Sequence, residues 1–195
     1  MTHRPPDLGI LVWPRPTPRL ALRPVTLGDV DAILAYRSLP EVGEFTSRGP
    51  MNRAEVEARV ELLRQGATAG APQPRLGLVV EHDGAVVGDC SVRLEPDDNG
   101  MWRAGVGYAI GPGHQGCGYA TEVVRELLVI CFGHLHLALV EADVFVPHVA
   151  SQRVLEKAGL RRVARTPAGS EGGGRPRLDD YVYAVTAAEW AAHHH

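Results

Sequence analysis

The sequence predicts a mixed α/β fold, a sheet with helices on its faces, and three observations lead there. Two amphipathic helical patterns, residues 27–38 and 52–65, precede the strand-rich region. A β-hairpin pattern follows at residues 76–94, and a strand–turn–helix, residues 101–132, occupies the centre. Strands and helices then alternate to the end of the chain, which calls for one mixed sheet with helices packed against it.

The first strand is read from Arg19-Leu-Ala-Leu-Arg-Pro-Val, where apolar and polar residues alternate up to Thr26, a residue suited to cap a helix. Val30, Ile33 and Leu34 then share one helical face. Val56, Val60 and Leu63 do the same in the second helix, which ends in a Gly/Ala/Pro linker at residues 66–74. Strands at residues 76–81 and 85–94 flank His82-Asp83-Gly84, a turn-prone triplet. The next strand, residues 101–110, is broken by Gly111-Pro-Gly before the longest apolar-periodic run, residues 119–132. A β-branched strand at residues 140–146 follows, then a helix over 150–158 stopped by Gly159, and two closing strands at 160–164 and 180–185. Residues 166–176, with Gly172-Gly-Gly, read as a loop.

The chain has 195 residues, 45% hydrophobic and 22% charged, an ordinary composition for one domain with a sizeable core. Residues 1–17 read as a proline-rich arm, 18–190 as the domain, and 191–195 as a tail whose His193–His195 resemble a purification-tag remnant and are set aside as metal ligands. A net charge of −3 offers no general field for nucleic acid, and no apolar run reaches the roughly 18 residues of a membrane span. The N-terminus lacks the order of a signal peptide, and Cys90, Cys117 and Cys131 form no C-x-x-C pair, which together point to a reducing cytoplasm. His134 and His136 have no nearby carboxylate in the sequence and read as a helix-to-strand connection, so no metal is expected.

Gln115-Gly-Cys-Gly-Tyr-Ala follows a strand and opens a helix. Its small residues let the backbone approach a ligand, and the first amides of a helix have no internal acceptor while the helix dipole adds positive potential. Such a turn suits a diphosphate. A structural glycine turn has the same spacing, so the segment alone does not specify a ligand, and a dinucleotide site is disfavoured because there is no full G-x-G-x-x-G after the first strand.

The segment resembles the R/Q-x-x-G-x-G/A signature of the GNAT acetyltransferases, matched by Gln115, Gly118 and Ala120. His148-Val-Ala-Ser-Gln-Arg-Val-Leu-Glu-Lys-Ala-Gly-Leu resembles the second GNAT segment. Leu20-Ala-Leu-Arg-Pro-Val-Thr, the stretch from Tyr36, Gly107-Tyr108 and Asp180-Tyr-Val-Tyr further resemble the branch of ribosomal-protein N-terminal acetyltransferases. The resemblance implies a single-domain, mostly antiparallel sheet splayed at two central parallel strands, residues 101–110 and 140–146. It implies acetyl-CoA clamped in that gap by Ala109, Ile110, Gln115, Gly116, Cys117, Gly118, Tyr119, Ala120, His148 and Ser151. A primary amine, on a protein N-terminus or a small molecule, would attack the thioester directly, with no acyl-enzyme.

For that chemistry the resemblance places a backbone oxyanion donor near a bulge at Ala109 or Ile110. Relatives often carry a glutamate as base just before the hydrophobic-Gly-Tyr triplet, where this chain has Gly105, which leaves Glu44, Asp89, His148 or a water chain. A tyrosine acid found in some relatives is Leu155 here, so Ser151 is the hydrogen-bond donor expected near the sulfur. His148 can alternatively be a helix-start residue making one hydrogen bond. Cys117, near a helix N-terminus, has no task in direct attack. Tyr108 is either a core tyrosine or a border of the acceptor amine, and Glu156-Lys157 a solvated pair. The competing function is a GNAT domain that binds acyl-CoA as a sensor or scaffold without turnover. A homodimer is left open.

Overall fold

A computed structural model describes residues 4–46, 48–68, 70–168 and 178–192. The described residues form one eight-stranded sheet. In chain order its elements are β1 (Arg15–Pro16), β2 (Ala21–Pro24), α1 (Val30–Arg37), α2 (Pro40–Gly43), α3 (Arg53–Gly66), β3 (Arg75–His82), β4 (Ala85–Pro96), β5 (Trp102–Ile110), α4 (Tyr119–Leu128), β6 (Leu139–Phe145), α5 (Val149–Ala158), β7 (Arg161–Thr166), β8 (Asp180–Thr186) and α6 (Ala187–Ala192). The strand order is β1-β2-β3-β4-β5-β6-β8-β7, and every neighbouring pair is antiparallel except β5 and β6.

Helices cover both faces. On one, Val123, Val124, Leu127 and Leu128 of α4 and Leu155 of α5 pack with Leu78, Val80, Val106 and Val140 of the sheet; on the other, Ile33 of α1 and Val56, Val60 and Leu63 of α3 pack with Val79. Alternate residues of β3 therefore enter opposite cores, which is why that strand reads as an unbroken apolar run. Full burial of each of Leu22, Leu78, Leu127, Leu128 and Leu155, at 0–1% exposure, is worth about 1.5–3 kcal/mol.

Local signals account for most boundaries. Asn52 and Glu55 form a reciprocal cap at the start of α3, and Thr26 and Asp29 do the same ahead of α1. Asp83 and Gly84 both take positive φ, 50° and 78°, the condition for a tight two-residue hairpin turn. Gly159, at φ 99°, ends α5 in the left-handed region.

Four expectations change. The predicted 119–132 helix is α4 followed by a wider π-type segment, Val129–His134. The arm is part of the sheet, since β1 pairs with β2 and Leu11 is buried. Glu156 does not pair with Lys157 but accepts from the Tyr183 hydroxyl at 3.0 Å, because adjacent helical residues point apart. His134 lies 3.0 Å from Arg15 Nη2 and so belongs to a structural contact with the arm. Most of the glycine-rich loop and His193–His195 lie outside the described residues. No described helix is long and apolar enough to cross a membrane.

Candidate functional site

The site begins where the sheet divides. β5 and β6 run parallel and pair only at Ala104 with Val140 and Gly105 with Glu141. Beyond that, β5 follows β4 and β6 follows β8, so a wedge opens along the last five residues of β5. Ala104, Val106, Tyr108 and Ile110 face α4 and α5, whereas Ala109 joins the α1/α3 core, which puts Gly105 and Gly107 on that same side.

Strand phase decides which backbone groups face the wedge. The Gly111 N–H donates to Val87 O at 2.9 Å, and the β4–β5 register is unbroken from Gly88↔Ile110 to Pro96↔Trp102. Ala109, Gly107 and Gly105 therefore direct their amides to β4, while Tyr108 and Ile110 direct theirs to the open side. This corrects the expectation for Ala109, whose N–H is engaged in the ladder. The Ile110 N–H faces the open side. The expected bulge is also displaced: the register shifts between β3 and β4, at Val80/Glu81, and not in β5.

The far end of the wedge is the glycine turn. Gly116 and Gly118 have φ of 77° and 82°, a conformation costly for any residue with a Cβ, and Gly118 caps α4 without a side-chain hydrogen bond. The first intrahelical bond is Glu122 N–H to Gly118 O, so the amides of Tyr119, Ala120 and Thr121 have no helical acceptor. A Cβ on Gly116 would meet nothing within 4 Å. The turn is thus an exposed cradle of donors at the positive end of a helix, which fits a diphosphate. Gln115 takes a different part from the one expected: its Nε2 donates to Ile110 O at 2.9 Å, tying the turn to the end of β5. Cys117 is exposed, its Sγ 3.6 Å from Gln115 O.

The second segment closes the wedge from the other side. The Tyr108 hydroxyl lies 2.8 Å from Ser151 Oγ and 3.3 Å from Ser151 O, joining β5 to α5. Tyr108 thus stands on the α4/α5 side, and burial pushes its phenol up to about 12, so it stays protonated. His148 precedes α5, but its imidazole makes no capping bond; it stacks on Phe45, with ring centroids 4.3 Å apart and planes 11° off parallel. Burial lowers its proton affinity from the ordinary value, and the exposed Glu44 carboxylate, next to Phe45, acts in the opposite direction. Glu44 and His148 are therefore neighbours, a contact the sequence does not reveal because the two are far apart in the chain.

Asp89 has no such freedom. It is 3% exposed and receives Arg37 Nε and Nη2 at 2.8 Å, the Tyr36 hydroxyl at 2.8 Å and Arg59 Nη2 at 3.1 Å. Burial alone would raise its carboxyl, but the two guanidiniums and these hydrogen bonds hold it well below the usual carboxylate range. Such a group is a structural anion and not a base. At Gly105 the space of a side chain is taken by Arg93, whose Nη2 would lie 3.0 Å from a Cβ there. Leu155 is fully buried and offers no proton.

Comparison with known proteins gives one consistent answer. The model of the acetyltransferase (GNAT) domain matches residues 19–161. The chain is similar to an uncharacterized N-acetyltransferase, p20, of Bacillus licheniformis, at 27% identity over 176 residues, 90% of this chain and 97% of the relative. It is 30% identical over 149 residues, 72% of this chain and 80% of the relative, to a probable N-acetyltransferase, YjcK, of Bacillus subtilis. Among solved structures, Mycobacterium smegmatis RimJ in complex with CoA-disulfide shares the fold with a TM-score of 0.75 at 23% identity, covering 93% of this chain and 96% of that one. Spermidine N-acetyltransferase from Vibrio cholerae, in complex with CoA and spermine, does so with a TM-score of 0.72 at 20% identity, covering 89% and 98%.

Proposed function

The chain belongs to the GNAT acetyltransferase family and is an acetyl-transferring enzyme, and we propose that it moves an acetyl group from acetyl-CoA to a primary amine by direct attack. The acceptor is the α-amine of a polypeptide or a small-molecule amine. One observation carries the reading: a strand edge with an unpartnered Ile110 N–H leads to a helix start whose first amides are also without acceptors.

Acetyl-CoA, when bound, supplies the activated thioester. The turn from Gly116 to Ala120 holds the diphosphate through backbone amides, and the open edge at Tyr108 pairs with the pantetheine. Ile110 N–H donates to the acyl oxygen and strengthens as charge gathers there. The amine enters from the face floored by Gly105 and Gly107. As nitrogen bonds to the acyl carbon and the carbon–sulfur bond breaks, the amine proton passes to His148. Its depressed proton affinity keeps the ring neutral and able to accept at pH 7. Tyr108 can donate to Ser151 Oγ, which leaves the serine proton for the departing sulfur, and solvent then protonates the thiolate.

The test is incubation of the purified protein with acetyl-CoA and a panel of peptides and small amines while free thiol is followed. Thiol release that depends on the acceptor is expected. Tight CoA binding with no acceptor-dependent release from any member would overturn the transfer reading in favour of a binding module.

A further inference from the structure

We infer that Arg19, which lies outside both GNAT-like segments, is the cation that completes the diphosphate cradle. The inference rests on the acetyl-CoA reading and adds a residue to it.

No Lys or Arg stands between Gly111 and Tyr119, and the signature Gln115 is uncharged with its amide turned inward to Ile110 O. The turn itself therefore offers only dipoles. Arg19 reaches it from the start of the sheet. Its Nη1 donates to Cys117 O at 2.8 Å, its Nε donates to Glu122 Oε2 at 2.8 Å, and its Nη2 lies 2.7 Å from the same oxygen. The guanidinium also stands over the Tyr119 ring, 4.8 Å from its centroid, and Nη2 lies 3.4 Å from where a Cβ on Gly118 would be. A guanidinium has five N–H groups, so these three contacts leave two of them in a fixed fork at the mouth of the turn. The side chain is 47% exposed, open to a ligand yet held in place.

The support behind it is a strap. Thr17 Oγ1 donates to Glu122 Oε1 at 2.5 Å, the Arg19 N–H donates to the same oxygen at 2.8 Å, and Arg15 Nε donates to Glu126 at 2.5 Å. The end of β1 and its turn into β2 thus lie against α4 at Glu126 and Glu122, one helical turn apart. The carboxylate of Glu122, on the first turn of α4, orients the fork.

Isothermal titration with CoA tests the assignment, using wild type, Arg19→Met and Arg64→Met at several salt concentrations. Removing a charge-assisted contact should weaken CoA by about tenfold to a hundredfold in Arg19→Met and flatten the salt dependence. The same loss is expected for 3′-dephospho-CoA, which keeps the diphosphate. Arg64→Met removes an exposed cation from α3, on the opposite face of the sheet, and should bind CoA within about twofold of wild type. Wild-type affinity in Arg19→Met, an equal loss in Arg64→Met, or an unaffected 3′-dephospho-CoA would each overturn the assignment. Failure of the wild type to bind CoA at all would instead reject the acetyl-CoA reading.

Discussion

Replacement of Asp89 by asparagine separates a base from a structural anion. The carboxylate is enclosed by Arg37, Arg59 and the Tyr36 hydroxyl, and Arg37 is itself buried. The amide in Asp89→Asn would keep the size and one acceptor but turn an NH₂ toward a guanidinium, leaving two positive charges without a counter-ion. Breaking a buried pair in this way costs about 3–5 kcal/mol. At roughly 2–4 °C per kcal/mol for a chain of this length, the melting temperature should fall by roughly 6–20 °C at pH 7. Arg59 is partly free to swing into solvent, its side chain 27% exposed, so Arg59→Met should cost less than Asp89→Asn. The pH dependence has a definite sign. A carboxyl whose folded pKa is depressed contributes stability above its unfolded value, about 4, and loses that contribution as pH falls through the folded value. The gap in melting temperature between wild type and Asp89→Asn should therefore be full at neutral pH and narrow below about pH 4. Differential scanning calorimetry from pH 3 to 8 measures it. A variant that melts like wild type at pH 7 but has lost turnover would refute the structural reading and restore Asp89 as a base.

Four further outcomes follow from the wedge. His148→Ala should lower kcat/KM by roughly 10²–10⁴ with CoA affinity unchanged. By NMR the His148 ring should titrate below the ordinary histidine value, and lower still in Glu44→Gln because an opposing carboxylate is gone; an unchanged midpoint in that variant would contradict their proximity. Gln115→Ala removes the hydrogen bond to Ile110 O and should raise the KM for acetyl-CoA about fivefold with little effect on melting, the equivalent of about 1 kcal/mol; an unaltered KM would mean that the turn needs no such tie. Tyr108→Phe should reduce kcat by roughly fivefold while CoA affinity stays within about twofold, since the pantetheine edge is backbone and the hydroxyl serves Ser151.

Much of the fold was legible because its signals are local. The turn at Asp83-Gly84, the cap at Thr26, and Gly159 at the end of α5 each require a residue type at a particular place, and each appears where the sequence puts it. The four-residue α2 and the two-residue β1 are too short to complete a period, and neither is readable from spacing. The wider segment after α4 escapes for another reason: an apolar run reports which face is buried, not whether the turn contains 3.6 residues or more.

The candidate site divides along the same physical line. Its cofactor half depends on backbone donors, which need glycine at two positions with positive φ and a strand left without a neighbour; a short motif can encode all of that, so Gly116 and Gly118 are readable directly. Its proton-transfer half depends on side chains brought together from distant segments. Phe45 and Glu44 meet His148, and Tyr36 and Arg37 meet Asp89, with about fifty to a hundred intervening residues in each case. No periodicity carries that information, because each contact is a product of the whole sheet order. A carboxylate such as Asp89, which looks available in the sequence, is taken up by the core, while a histidine that looks like a helix cap stacks on Phe45 instead. With no carboxylate side chain at Gly105, the proposed proton transfer rests on the His148 ring, whose proton affinity burial lowers and which makes no capping bond.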